Sequence, residues 1–135
     1  MIKQIVISSS QIKLLAEHSK KNSPNESCAI LFGKTANNIT TIKDIFFAKN
    51  IEESPVNFTI SNDELISAYS QAEKKNLDVS GIFHSHPVSE PYPSSTDKKY
   101  MEVNDVPWVI FSNIEDKFMA YIYNSGVVQI PLKVS

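Results

Sequence analysis

The sequence predicts an α+β, mixed α/β fold, and three observations carry that expectation. Short runs rich in β-branched and aromatic residues recur along the chain, separated by turn residues. Three serine-initiated helix signals are interspersed among them. No internal repeat, low-complexity tract or linker interrupts the pattern, so residues 1–135 read as one domain.

Ile2 to Ile7 is the first strand, and the serines at 8 to 10 cap a helix carrying Ile12, Leu14, Leu15 and Ala16. His18 falls on the polar side of that helix and reads as solvated. Lys20 to Asn25, polar and containing Pro24, turns the chain into an apolar run from Ser27 to Gly33. A continuous apolar segment bounded by Asn25 and Gly33 reads as a central strand buried on both faces. Asn37-Asn38 is a hairpin turn leading into the strand Ile39 to Ala48. After the charged loop Asn50 to Val56, Ser61-x-x-Glu64 is a capping box for a helix from Asp63 to Lys75. Val79 to Phe83 is a buried strand ending in His84. Further strands are expected at Trp108 to Ser112, Lys117 to Tyr123 and Val127 to Ile130, the last two joined by Asn124-Ser125-Gly126. Trp108, Tyr121 and Tyr123 read as core or rim packing, and Lys98-Lys99 as a wet helix face.

At 135 residues the chain can bury a substantial core. A net charge of −2 and a pI near 5.9 supply no global basic field of the kind nucleic-acid binders use. The single cysteine, Cys28, excludes an intrachain disulfide and fits a reducing compartment. As a strand-interior residue it reads as a small buried hydrophobe with no chemical role. The N-terminus lacks the apolar length of a signal peptide, and no run is long enough to span a membrane. A cytoplasmic protein is the expectation.

The chemistry concentrates in His84-Ser85-His86-Pro87, Ser94 and Asp97. If the extended backbone continues through His86, period-2 alternation sends both imidazoles to one side. Pro87 ends the ladder, and the stiff loop Val88 to Pro93 brings the chain back. Ser94 or Ser95 then caps a helix running through Lys98, Lys99, Tyr100 and Met101, with Asp97 in its first turn. Two imidazoles and one carboxylate with an open position form the ligand set of a hydrolytic zinc site. Each part has a plainer reading: a strand-end histidine is commonly hydrogen-bonded or solvated, and Ser94-x-x-Asp97 alone is a capping box. Glu26 is the candidate general base, at the entrance of its buried strand. A solvated strand terminus is the competing reading, which periodicity leaves open.

Glu26, His84-Ser85-His86-Pro87 and, seven residues after His86, Ser94-Ser95-Thr96-Asp97 resemble the JAMM (MPN+) metalloprotease motif, Glu followed distantly by His-x-His-x7-Ser-x2-Asp. The resemblance covers nearly the whole chain and extends to the strand Ser27 to Gly33, the segment Asn57-Phe58-Thr59-Ile60 and the strand Pro107 to Ser112. Ala29 departs from it, since many relatives have glycine there; this is a small packing change. The resemblance implies a cytidine-deaminase-like JAB/MPN fold, a twisted mixed sheet flanked by helices. It implies one zinc ion per chain on His84, His86 and Asp97, Glu26 as general base and then general acid, and Ser94 as donor to the oxyanion.

The resemblance further implies cleavage after the C-terminal Gly-Gly of a ubiquitin-like or small archaeal-type modifier, or the freeing of cysteine or a C-terminal extension from a sulfur-carrier protein. Either substrate would lay an extended tail in a groove, as an added strand. Just ten residues separate His86 from Asp97, and no long insert follows the helix. This suits a minimal, prokaryote-like enzyme with little preference among chain linkages. Neither nucleic acid nor membrane is an expected partner, and a homodimer is left open. A silent MPN scaffold would lack one of the ligands, and none is missing. A zinc nucleoside deaminase would need Pro-Cys-x-x-Cys, which a chain with one cysteine cannot supply. A binding module with idle histidines is the remaining alternative.

Overall fold

The computed structural model describes residues 1–135 throughout. In chain order the elements are β1 (Gln4–Ile7), α1 (Ser9–Asn22), β2 (Cys28–Ala36), β3 (Ile39–Ala48), α2 (Asn62–Lys74), β4 (Asp78–His86), α3 (Ser95–Val103), β5 (Trp108–Ser112), β6 (Lys117–Tyr123), β7 (Val127–Ile130) and β8 (Leu132–Val134). All eight strands form one sheet in the order β7-β6-β5-β4-β2-β3-β1-β8. The sheet is mixed, as expected: β4 runs parallel to β5 and antiparallel to β2, while β1 pairs in parallel with both β3 and β8. No helix is long and apolar enough to cross a membrane.

Alternation along the central strands sorts the side chains into two faces. Ala29 and Leu31 of β2, Phe83 of β4, and Val109 and Phe111 of β5 join Leu15 of α1 in the largest core cluster. On the opposite face, Ile30 and Phe32 pack against Ala68 and Ala72 of α2, and Trp108 and Ile110 pack against Met101 of α3. The sheet is thus covered on one side by α1 and on the other by α2 and α3. Both histidines of β4 stand on the α2/α3 side, because they alternate with Phe83.

Local chemistry fixes the element ends. Ser8 caps α1 with a full capping box closed by Gln11. Asn37 and Asn38 both take positive φ, 55° and 64°, which short polar side chains tolerate in the tight turn between β2 and β3. Beta-strand β2 runs on past Gly33, where it was expected to stop. Gly33 sits instead in a bulge, where a Cβ would meet Thr41 O at 2.2 Å, so only glycine admits the neighbouring strand.

Three further expectations are corrected, and one element is new. Helix α1 continues through Lys20, Lys21 and Asn22, since two lysines in a last turn suit the negative end of the helix. The Ser61 box is half formed: Ser61 Oγ accepts from Glu64 N at 3.2 Å, but the Glu64 carboxylate is taken by Lys49 N at 2.9 Å. His18 is not solvated; its Nε2 lies 3.1 Å from Cys28 O and its ring packs edge-on to Phe47, and burial lowers its pKa. Beta-strand β8 was not foreseen, being three residues placed directly after Pro131. The protein's two sheet edges, β7 and β8, also lie at least three strands from β4. At ~4.8 Å per strand, a tail added at either edge would stand well away from the histidines.

Candidate metal centre

His84 and His86 close β4 at the edge of its hydrogen-bonded ladder, with Ser112 paired opposite His86. The return loop that brings Asp97 back is held by three successive carbonyls. Ser112 Oγ donates to Ser89 O at 2.7 Å, the His86 Nδ1 lies 2.8 Å from Glu90 O, and the Tyr121 hydroxyl donates to Pro91 O. A loop whose backbone is tethered this way delivers α3 at a fixed distance from the strand. Ser94 caps that helix: its Oγ accepts from Asp97 N at 3.1 Å, and Asp97 Oδ2 accepts from Ser94 N at 2.9 Å. The capping reading and the ligand reading therefore describe one geometry, since the box is what aims Asp97.

The result is three converging donor atoms. His84 Nε2, His86 Nε2 and Asp97 Oδ2 are each 3.1 Å from the other two, and all three side chains are buried. Ligands on a tetrahedral zinc at ~2.0–2.1 Å stand roughly 3.3 Å apart, so the triangle has the size such an ion needs. A divalent cation fits the donor set by chemistry as well: two imidazoles and a carboxylate. The Glu90 carbonyl binds the Nδ1 proton of His86 and so presents Nε2 as a lone pair. His84 is held differently. Its Nδ1 is buried without a partner, and its ring is stacked on Phe58 at 4.7 Å and meets Trp108 edge-on at 5.6 Å.

Without a metal the triangle shares protons. Burial acts against ionising Asp97, but hydrogen bonds from both imidazoles outweigh it and hold its carboxyl well below the usual range. Burial depresses His84, whereas for His86 the bonds to Asp97 and Glu90 O overcome burial and raise it.

Glu26 comes to this triangle through strand register. Cys28 pairs with His84, and the ladder continues one step further, with Ser85 N donating to Ser27 O at 3.0 Å. One more step sets Glu26 across from His86 on the same face. The residue is only 4% exposed and its Oε1 has no hydrogen-bond partner. Burial, with smaller contributions from Asp97 and Glu52 against that of His86, raises its pKa to about 8. The solvated-terminus reading of Glu26 therefore fails. Ser94 is half-buried at the rim of the same site; its oxygen accepts the cap bond, which leaves the hydroxyl proton to donate elsewhere. Cys28 is fully buried and its thiol is pushed up to about 12 by burial, in keeping with no chemical role.

Sequence reasoning missed three supports. Tyr121 reads as packing, yet its hydroxyl tethers the return loop. Ser85, between the two histidines, points to the α1 face, where its Oγ accepts from Ser27 N at 2.8 Å and from Ser27 Oγ at 2.9 Å. Asn50 sits in what reads as a charged loop but is buried. None carries a local signal, because each acts on a residue far away in the chain.

Fold and site together define a mixed α/β protein built around a buried cluster of two imidazoles and a carboxylate. The chain belongs to the prokaryotic homologs of the JAB domain, a family it matches over residues 8–123. Among characterised proteins it is similar to a desampylase of Pyrococcus furiosus, 38% identical over 97 residues that make up 72% of this chain and 66%, just under two thirds, of that protein. It is also similar to the CysO-cysteine peptidase of Mycobacterium tuberculosis, 26% identical over 80% of this chain and 73% of that one. A solution structure from Desulfitobacterium hafniense superposes with a TM-score of 0.89 at 24% identity, covering 97% of this chain and 92% of the other. That likeness establishes the fold.

Proposed function

We propose that this chain, acting as one domain over residues 1–135, is a JAMM-type zinc metalloprotease of the cytoplasm. In this reading it cleaves the amide or isopeptide bond after the C-terminal Gly-Gly of a ubiquitin-like or small archaeal-type modifier. The observation that carries the reading is the triangle of His84, His86 and Asp97 donor atoms beside a buried, unpartnered Glu26 carboxyl. The named desampylase relative supports this substrate class.

His84, His86 and Asp97 would hold the ion, which when bound supplies Lewis-acid polarisation and makes water more acidic. Glu26 takes the proton from the attacking water and passes it to the leaving amine, a transfer suited to a carboxyl whose pKa lies near the working pH. Ser94 donates its hydroxyl proton to the oxygen on which negative charge develops, worth on the order of 3 kcal/mol for one such donor. The apolar surround of Phe58 and Trp108 keeps the His84 side of the site dry. No covalent attachment to the enzyme is needed.

Sulfur-carrier processing is the second reading, favoured by the CysO-cysteine peptidase relatives. Both tails end in Gly-Gly and differ in the leaving group. The test is to incubate the protein with a β-grasp modifier ending in Gly-Gly, joined either to a lysine side chain or to cysteine, with and without a chelator. Release of lysine supports the first reading and release of cysteine the second. Cleavage that persists after the metal is stripped refutes both.

A further inference from the structure

We propose that Asn50 is a positioning residue that fixes Glu26 and the aromatic cover of His84 as one unit. The inference rests on the proposed role of Glu26 and deepens it. Asn50 is 8% exposed and uses its amide in four directions. Its Nδ2 donates to Glu26 O at 3.0 Å and to Asn57 O at 2.9 Å. Its Oδ1 accepts from Glu52 N and from Thr59 N, both at 3.1 Å. Two donors and two acceptors exhaust what a primary amide can offer, and all four partners are backbone groups.

Those partners lie in two stretches of the site that lack regular structure. Glu26 precedes the start of β2, so beyond Ser27 the ladder to β4 no longer holds it. Its backbone is held by Ser54 O, which accepts from Glu26 N at 2.8 Å, and by Asn50. Phe58 lies in the irregular stretch between β3 and α2, with Asn50 bonded to the residue on either side of it. Its ring is the one stacked on His84. Asn50 therefore links the backbone of the general base to the backbone of the ring over a ligand, without touching a donor atom itself. Displacements of ~1 Å in a catalytic group can cost on the order of 100-fold in rate.

Asn50→Asp breaks the link. It keeps acceptors for Glu52 N and Thr59 N but removes the donors to Glu26 O and Asn57 O. With the isopeptide-linked β-grasp modifier as substrate, kcat should fall roughly 10- to 100-fold, KM should stay within about twofold, and zinc should remain near one per chain. The visible spectrum of the cobalt(II)-loaded protein should not change, since the ligands are intact. Asn50→Gln, which keeps the amide on a longer stem, tests the same point if the aspartate variant does not fold. Wild-type kcat in a folded Asn50 variant, while Glu26→Gln is inactive, overturns the proposal. So does a fall in kcat that merely tracks lost metal or lost folded protein, which marks a structural role. An active Glu26→Gln removes the base itself, and the positioning role with it.

Discussion

Glu26→Gln should make the metal-free protein markedly more stable at alkaline pH than its parent. The Glu26 carboxyl titrates near 4.5 when unperturbed and at about 8 in the folded chain, principally because it is buried. A raised carboxyl favours the folded state fully below the unfolded pKa, and that contribution is lost as pH rises towards the folded one. Between about pH 4.5 and 8 the unfolded chain releases this proton while the native chain keeps it. Each pH unit in that window costs the fold up to about 1.4 kcal/mol, or roughly 3–5 kcal/mol across it. Glutamine fills the same space and has no proton to lose. The assay is a series of thermal melts in chelator from pH 5 to 8 on both proteins. The Asp97 and His84 titrations are common to both and largely cancel in the difference, whereas His86, whose pKa Glu26 helps to raise, leaves a smaller residual. The gap in Tm should widen by about 10 °C across the series. A gap that stays constant with pH would refute the reasoning, because it would mean that Glu26 ionises in the folded chain as freely as in water.

His84→Ala and Asp97→Ala should each reduce bound zinc from about one per chain to near zero by elemental analysis, whereas Glu26→Gln should retain it; metal retained in both ligand variants would sink the site. Ser94→Ala should lower turnover by about 100-fold and destabilise α3 by about 1 kcal/mol through the lost cap, and unchanged kcat would remove Ser94 from the chemistry. Metal uptake should release protons and weaken below neutrality, since Asp97 and Glu90 O raise the His86 pKa in the metal-free protein; calorimetry in buffers of different ionisation enthalpy reads this directly, and heats independent of buffer would contradict it. Gly33→Ala should destabilise by about 1–3 kcal/mol, because its Cβ would meet Thr41 O at 2.2 Å; a neutral denaturant midpoint would show that the bulge can yield.

Much of the site was legible because its parts are local. His84 and His86 share a face through period-2 alternation, Asp97 follows from a helix start, and the loop between them is short. Each of these is a statement about neighbours along the chain, which composition and spacing encode directly. The buried run from Cys28 to Gly33 was legible for the same reason, since every residue in it is apolar or small.

What tertiary structure alone decided is which distant groups meet. Glu26 is buried, and not solvated, because Cys28 of β2 pairs with His84 of β4, Ser85 clamps Ser27 from 58 residues away, and Asn50 and Ser54 O hold the Glu26 backbone beyond the ladder. His18 is bound to Cys28 O, the Tyr121 hydroxyl to the return loop and Asn50 to Glu26, although none of these sits in a local pattern. A side-chain amide or hydroxyl spends its hydrogen bonds on whatever the packed sheet brings within about 3 Å. The sequence by itself determined the three candidate donor side chains and their spacing along the chain; pairing across the sheet decided what holds them and what stands beside them.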